Sequence, residues 1–305
     1  MADDVARTRD TAFRRALRGW LSNRVVIAFL LVIALFVAGE IIVPGFLHFS
    51  HIMTVLQASF FLGLVSLGQT IVVLSGREGL DLSVGSMVTV GVILGAFVLM
   101  GKDANLVQTI LAVLAAGFVL GLVNGLGVAF LKLAPLIMTL AWGIVVNGLL
   151  IGITKGLKPG KASPILETLG HGSLVLGASE HALKIPWVNV IWVIIIVLVW
   201  FFLKRTSGGY ILYAVGANDR AAELLGIRVR LVRVMAYAVS GMLSAFSGLL
   251  LLGFVQNPDL QLGERYVLPS AVAVIIGGIR FGGGAGTYLG AVAGSIFLTT
   301  LASVL

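Results

Sequence analysis

Nine apolar stretches, at 25–43, 52–74, 82–100, 106–130, 136–154, 188–203, 234–255, 267–279 and 285–305, alternate with short polar or glycine-rich breaks along the chain. A helix needs about 20 apolar residues to cross about 30 Å of hydrocarbon. Most of the stretches meet that length, while 267–279 is short for a full crossing and is separated from 285–305 by a glycine cluster. Arginines precede the first stretch, as in a signal peptide, but its 19 residues exceed a usual signal core and further spans follow, so it reads as an uncleaved first helix. The pattern predicts an all-α, polytopic transmembrane bundle of about nine segments, with glycine-rich broken helices.

Composition strengthens this reading. Of 305 residues, 59% are hydrophobic and 11% charged, against about 25% charged in soluble domains, and mean hydropathy is +1.08. Too few charges remain to coat a water-facing surface, which excludes a soluble enzyme. The net charge of +8 is banked in two places. Arg7, Arg9, Arg14, Arg15, Arg18 and Arg24 precede the first span, and six basic residues lie from Lys204 to Arg233. No stacking aromatics are interleaved with them, which argues against nucleic acid. With the N-terminus in the cytoplasm, 15 of the 21 Lys and Arg fall inside, and Lys102, Lys155, Lys158, Lys161, Lys184 and Arg265 fall outside. The positive-inside bias therefore sets the N-terminus inside. Residues 1–24 form a basic cytoplasmic segment and 25–305 one transmembrane domain, with an outer loop at 155–187 and an inner loop at 204–233. The absence of cysteine removes disulfides, thiolate metal sites and cysteine nucleophiles.

The outer loop carries Pro159, Pro164, Pro186 and several glycines and predicts an irregular cap. In the inner loop, Asn218 to Gly226 reads as a short helix, capped by Asn218 and stopped by Gly226, too polar for lipid and built to dock. Small-residue stripes at Gly117/Gly121/Gly125, Gly286/Gly290/Gly294 and Ser240/Ser244/Gly248 predict close helix approach within the bundle, or a dimer seam.

Two breaks are candidates for function. Ser75–Gly85, with Arg77, Glu78 and Asp81, interrupts an apolar region; it is either a solvated cytoplasmic turn or a broken helix lining a path. Gly277–Gly286, with Gly277, Gly278, Gly283, Gly284 and Gly286, sits at a corresponding point of the second half and hints at an internal repeat. It does not fit a dinucleotide fingerprint, and Gly156–Ala162 departs from a phosphate loop in spacing and lacks the magnesium-binding hydroxyl. His48, His51, His171 and His181 all fall in outer loops without a completing carboxylate, and no metal is expected. Among polar residues within spans (Glu40, Gln57, Gln69, Thr70, Asn124 and Asn147), only Glu40 is acidic, which disfavours an ion-driven transporter.

Three stretches resemble the permease subunits of ribose-type ABC importers, in the branched-chain amino acid/ribose permease superfamily. They are Gly79-Leu80-Asp81-Leu82-Ser83-Val84-Gly85; Tyr213 to Asn218 with Glu223, Gly226, Ile227, Val229 and Arg233; and Ala271 to Gly278 with Gly283, Gly284, Gly286, Gly290 and Ala291. The resemblance spans about residues 20–305. The second stretch alone also fits branched-chain amino acid permeases. What the resemblance implies is a bacterial inner-membrane permease for a sugar or related solute. It implies a second permease chain, two cytoplasmic ATPases that bind ATP and magnesium, and a periplasmic or lipid-anchored binding protein. This chain would then be no enzyme and bind no cofactor itself. Coupling would fall to Gly216, Asn218, Ala222, Glu223 and Gly226, and the pathway motif to Gly79, Asp81, Ser83 and Gly85, with Gln69 and Asn147. The competing reading is a self-contained secondary transporter or channel, which predicts that the 216–227 helix is dispensable. Departures from the family are the inserted Arg77-Glu78, Val267-Leu268-Pro269-Ser270 in place of an acidic stretch, and nine segments against ten expected.

Overall fold

A computed structural model describes residues 23–76, 79–131, 133–155, 160–177 and 183–305. Arg7, Arg9, Arg14, Arg15, Arg18, Arg77, Glu78, His181 and the first four residues of the Gly156–Ala162 loop lie outside the described residues. The rest forms helices α1 (Arg24–Ile42), α2 (Phe49–Leu74), α3 (Val84–Leu99), α4 (Leu106–Phe130), α5 (Pro135–Thr154), α6 (Pro164–His171), α7 (Trp187–Arg205), α8 (Ser207–Ala217), α9 (Asp219–Leu224), α10 (Val229–Val255), α11 (Glu264–Ile276) and α12 (Tyr288–Val304). A hairpin, β1 (Ser173–Leu176) and β2 (Leu183–Pro186), separates α6 from α7. Six of these helices are long and apolar enough to cross a bilayer, and α3 and α12 are shorter apolar helices.

Helices α2, α3 and α10 form the buried centre, while α1, α4, α5 and α7 turn apolar side chains outward, Ile144 of α5 being 73% exposed. Without water to drive apolar surfaces together, such helices hold by close backbone contact. Gly117, Gly121 and Gly125 of α4 lie against the α10 backbone at Gly241–Met242, Tyr237–Ala238 and Val234, where a Cβ would collide. In the same way Gly290 and Gly294 of α12 meet Gly277, just past α11, and Ala273 within it, and Ser240 and Gly248 of α10 meet Gly68 and Val88. These stripes therefore pack within one chain.

The 27 residues of α10 run about 40 Å and define two ends of the bundle. It begins beside α9 and finishes against the 155–187 segment, where Gly253 meets Leu166 and Gly170. Within that segment the described residues 160–177 and 183–187 hold a helix and two strands where an irregular cap is expected. Ser163 caps α6 by accepting from Leu166 N, Pro164 opens the helix where no N–H is needed, and β1 pairs antiparallel with β2. The Gln57 side chain donates to the Gly170 carbonyl and ties the cap to α2. Glu40 accepts the backbone N–H groups of Gly45 and Leu47 (3.0 and 2.7 Å), so it closes the α1–α2 turn.

Two helices start inside the bundle. Helix α3 begins at Val84, and α11 at Glu264. The two starts abut: a Cβ on Gly85 would strike Val267 and Gly263, and Thr89 Oγ1 lies 3.4 Å from the Leu260 carbonyl. From Thr89 to the cap end of α3 is about 15 Å, and the 13 residues of α11 descend about 20 Å towards the α9 end. Residues 260–265 thus lie part-way along the bundle, packed against the start of α3, and not at the cap end. The polar run 256–266 looks external in a hydropathy window, but the Gly85–Gly263 contact draws it inward. Helix α10 also starts five residues before its apolar run, because Arg230 and Arg233 lower hydropathy without breaking a helix.

Candidate functional site

The Gly79–Gly85 motif is a buried knot. Asp81 and Ser83 are fully buried, which rules out a solvated turn for Asp81. Asp81 Oδ1 accepts from Ser83 N (3.1 Å), Ser83 Oγ (2.6 Å) and Asn124 Nδ2 (3.2 Å), and Oδ2 accepts from Ser240 Oγ (2.8 Å). Asp81 N donates to Gln69 Oε1 (3.2 Å), Leu82 N to Thr139 Oγ1 (3.0 Å), and Tyr237 OH to the Leu80 carbonyl (3.3 Å). One irregular segment is thereby bonded to α2, α4, α5 and α10. Breaking a helix in a membrane frees backbone N–H groups that lipid cannot satisfy, and these side chains satisfy them. Every contact on the Asp81 carboxylate is a donor meeting an acceptor. The motif is a positional anchor for the start of α3.

At the α9 end a second cluster forms from the two glycine breaks and the inner loop. Gly216 lies so close to the Leu74 carbonyl and Gly284 that no side chain fits, Gly76 and Gly283 lie against it, and Gly284 N donates to Leu74 O (3.2 Å). Tyr213 OH donates to the Gly286 carbonyl (2.7 Å); burial pushes its phenol up, so it remains a neutral donor. After α8, Asn218 accepts from Ala221 N (3.1 Å) and caps α9, Ala222 is buried, and Gly226 ends it at φ +79°. A residue with a Cβ resists that conformation. Asp219 forms an ion pair with Arg233 of α10, itself only 5% exposed.

A cavity of about 570 Å³ opens between α9–α10 and the starts of the break and of α5; its wall includes Ser75, Gly79, Glu223, Arg230, Arg233 and Tyr237. Glu223 stands at this cavity, and neither Asp81 nor Ser83 lines it. The structure thus gathers Gly216, Gly283 and Gly284 in one place and Asp81, Ser83 and Gln69 in another. Gly277 serves the α11–α12 contact, Gly278 abuts Arg24, and Asn147 joins neither cluster. Asn147 Oδ1 is buried with no partner among the described residues.

Sequence reasoning missed four features here. Helix α8 went unseen because its Ser207-Gly208-Gly209 start reads as loop. Asn124, Thr139 and Ser240 are knot members that hydropathy cannot assign to a partner. Leu224 and Leu225 at the tip of α9 are 84% and 79% exposed; apolar residues in a polar loop were the available signal. Glu264 and Arg265 are exposed at the start of a helix packed against α3, although a local reading makes them loop charges.

The chain matches, over residues 51–305, the family described as the branched-chain amino acid transport system permease component. It is 34% identical over 260 residues to a probable ABC transporter permease, y4mJ, of Sinorhizobium fredii, covering 85% of this chain and 74% of that one. It is 33% identical over 265 residues to the ribose import permease RbsC of Bacillus subtilis, covering 86% and 79%. It is also 31% identical over 281 residues to the galactose/methyl galactoside import permease MglC of Escherichia coli, covering 85% and 79%. No solved structure matches it.

Proposed function

The chain belongs to this permease family of ABC importers, a multi-pass protein of the inner membrane, and on that footing we propose that it carries a sugar or sugar-like solute. Two permease chains enclose the path. Two separate ATPases, which bind ATP and magnesium, receive α9 on the cytoplasmic side. A binding protein delivers solute to the cap end, and the N-terminus is cytoplasmic. The relatives named for ribose and galactose support the solute class, and the bias of Lys and Arg supports the orientation.

The observation that carries the coupling role is the shape of α9. It presents Leu224 and Leu225 outward and is fixed from behind by Gly216 packing and the Asp219–Arg233 pair. A helix so held can pass a push from an ATPase groove into α8 and α10. From α10 the push reaches Tyr237 and Ser240, hence the Asp81 knot and the start of α3. The chain contributes surfaces and two conformations rather than covalent chemistry, and nucleotide state biases their populations. Purification of the tagged chain in mild detergent, with co-purifying chains identified by mass, tests this. A nucleotide-binding subunit at matching stoichiometry is expected. Recovery of the chain alone with transport intact after reconstitution contradicts it.

A further inference from the structure

Helix α11 starts half-way through the bundle, and its first two residues are charged. Glu264 and Arg265 are both exposed, and among the described residues neither side chain has a hydrogen-bond or ion-pair partner. The contacts of Gly263 with Gly85 and Thr89 fix them about 15 Å from the cap end and about 20 Å from the α9 end. Neither side chain can reach an interface across that distance. Below them on the same face come Leu268, Val272 and Ile275, 67%, 39% and 50% exposed. Charged groups at mid-membrane are expelled from lipid and face a partner or water. An unpaired acid and base of opposite sign, turned outward from this chain, therefore cannot border acyl chains.

We propose that this face of α11 lines the translocation path, with Glu264 and Arg265 as a polar waist that contacts the passing solute. This rests on the importer reading above. The pair presents carboxylate acceptors beside guanidinium donors with no net charge, a chemistry suited to the alternating donor and acceptor hydroxyls of a neutral polyhydroxylated solute. Leu268, Val272 and Ile275 form the apolar stretch that closes behind it towards the α9 end. Because α3 and α11 start against each other at Gly85 and Gly263, movement of the Asp81 knot displaces the waist directly.

The chain has no cysteine, so single-cysteine variants need no prior engineering. Glu264→Cys and Arg265→Cys, assembled with the ATPase and binding protein in proteoliposomes, are treated with a charged, membrane-impermeant maleimide. Val197→Cys, in the exposed apolar face of α7, is the lipid-facing control. The two waist variants are expected to react at least about tenfold faster than the control, because a thiolate forms in water and not in lipid. Labelling no faster than at Val197 overturns the proposal. In parallel, Glu264→Ala and Arg265→Ala are assayed for uptake of D-ribose and D-galactose. A KM raised about tenfold for the transported sugar, the effect of losing one hydrogen bond to a charged group, is expected. Unchanged KM in both overturns the solute contact even where labelling is fast. Failure of the underlying reading is distinguished by the unmodified assembly, which would then take up neither sugar with ATP.

Discussion

Truncating the tip of α9 tests the proposed ATPase contact. Leu224 and Leu225 are 84% and 79% exposed, so they contribute little to the fold of this chain and have most of their area free for a partner. Burying an apolar side chain of this size contributes roughly 1.5–3 kcal/mol, and each methylene about 0.8 kcal/mol. Leucine to alanine removes three carbons, hence about 2 kcal/mol each if the groove covers them fully. Leu224→Ala with Leu225→Ala should then weaken ATPase binding by about 4 kcal/mol, roughly a thousandfold in Kd. The assay is titration of purified ATPase onto the permease held in lipid nanodiscs, with thermal unfolding of the permease alone as control. An unchanged unfolding midpoint with a large loss of affinity is expected. An affinity within about threefold of the unmodified protein, less than 1 kcal/mol, would refute the docking role.

Other perturbations probe the parts behind that tip. Glu223→Arg should abolish substrate-stimulated ATP hydrolysis while membrane insertion is kept; hydrolysis rates in the reconstituted assembly decide, and unaltered stimulation removes the role given to Glu223. Asp219→Arg and Arg233→Asp should each reduce stimulation, and their combination should restore part of it, since the exchange rebuilds the ion pair. A double-mutant cycle without coupling would show that the pair transmits nothing. Asp81→Ala removes the acceptor of four hydrogen bonds and leaves the buried Ser83 N–H without its partner; about 1–3 kcal/mol of stability should be lost, seen as a lower unfolding temperature in detergent. Gly216→Ala places a methyl on the Leu74 carbonyl and should cost about 1–3 kcal/mol, read as reduced assembled yield.

The apolar runs located the membrane helices because hydropathy over a 20-residue window follows directly from crossing hydrocarbon. The small-residue stripes likewise announced close crossings, and the structure shows them packing α4 on α10 and α12 against α11. Depth was the illegible quantity. Glu264 and Arg265 follow a polar run like any external loop, and only the Gly85–Gly263 contact, between residues far apart in the chain, brings them part-way down the bundle. The same holds for Asp81, whose partners Asn124 and Ser240 are 43 and 159 residues away. Local signals did identify the Asn218 cap and the Gly226 stop, since capping needs only neighbours. They could not show that Asp219 meets Arg233.

The central claim is that this chain moves solute only when driven by ATP hydrolysed on another chain. Uptake of labelled D-ribose and D-galactose into proteoliposomes, with and without ATPase, binding protein and ATP, tests it most directly. The account predicts accumulation of one of these sugars only when all three are present, and none from an ion gradient. Gradient-driven uptake by the chain alone, undiminished by deletion of residues 216–227, would contradict it.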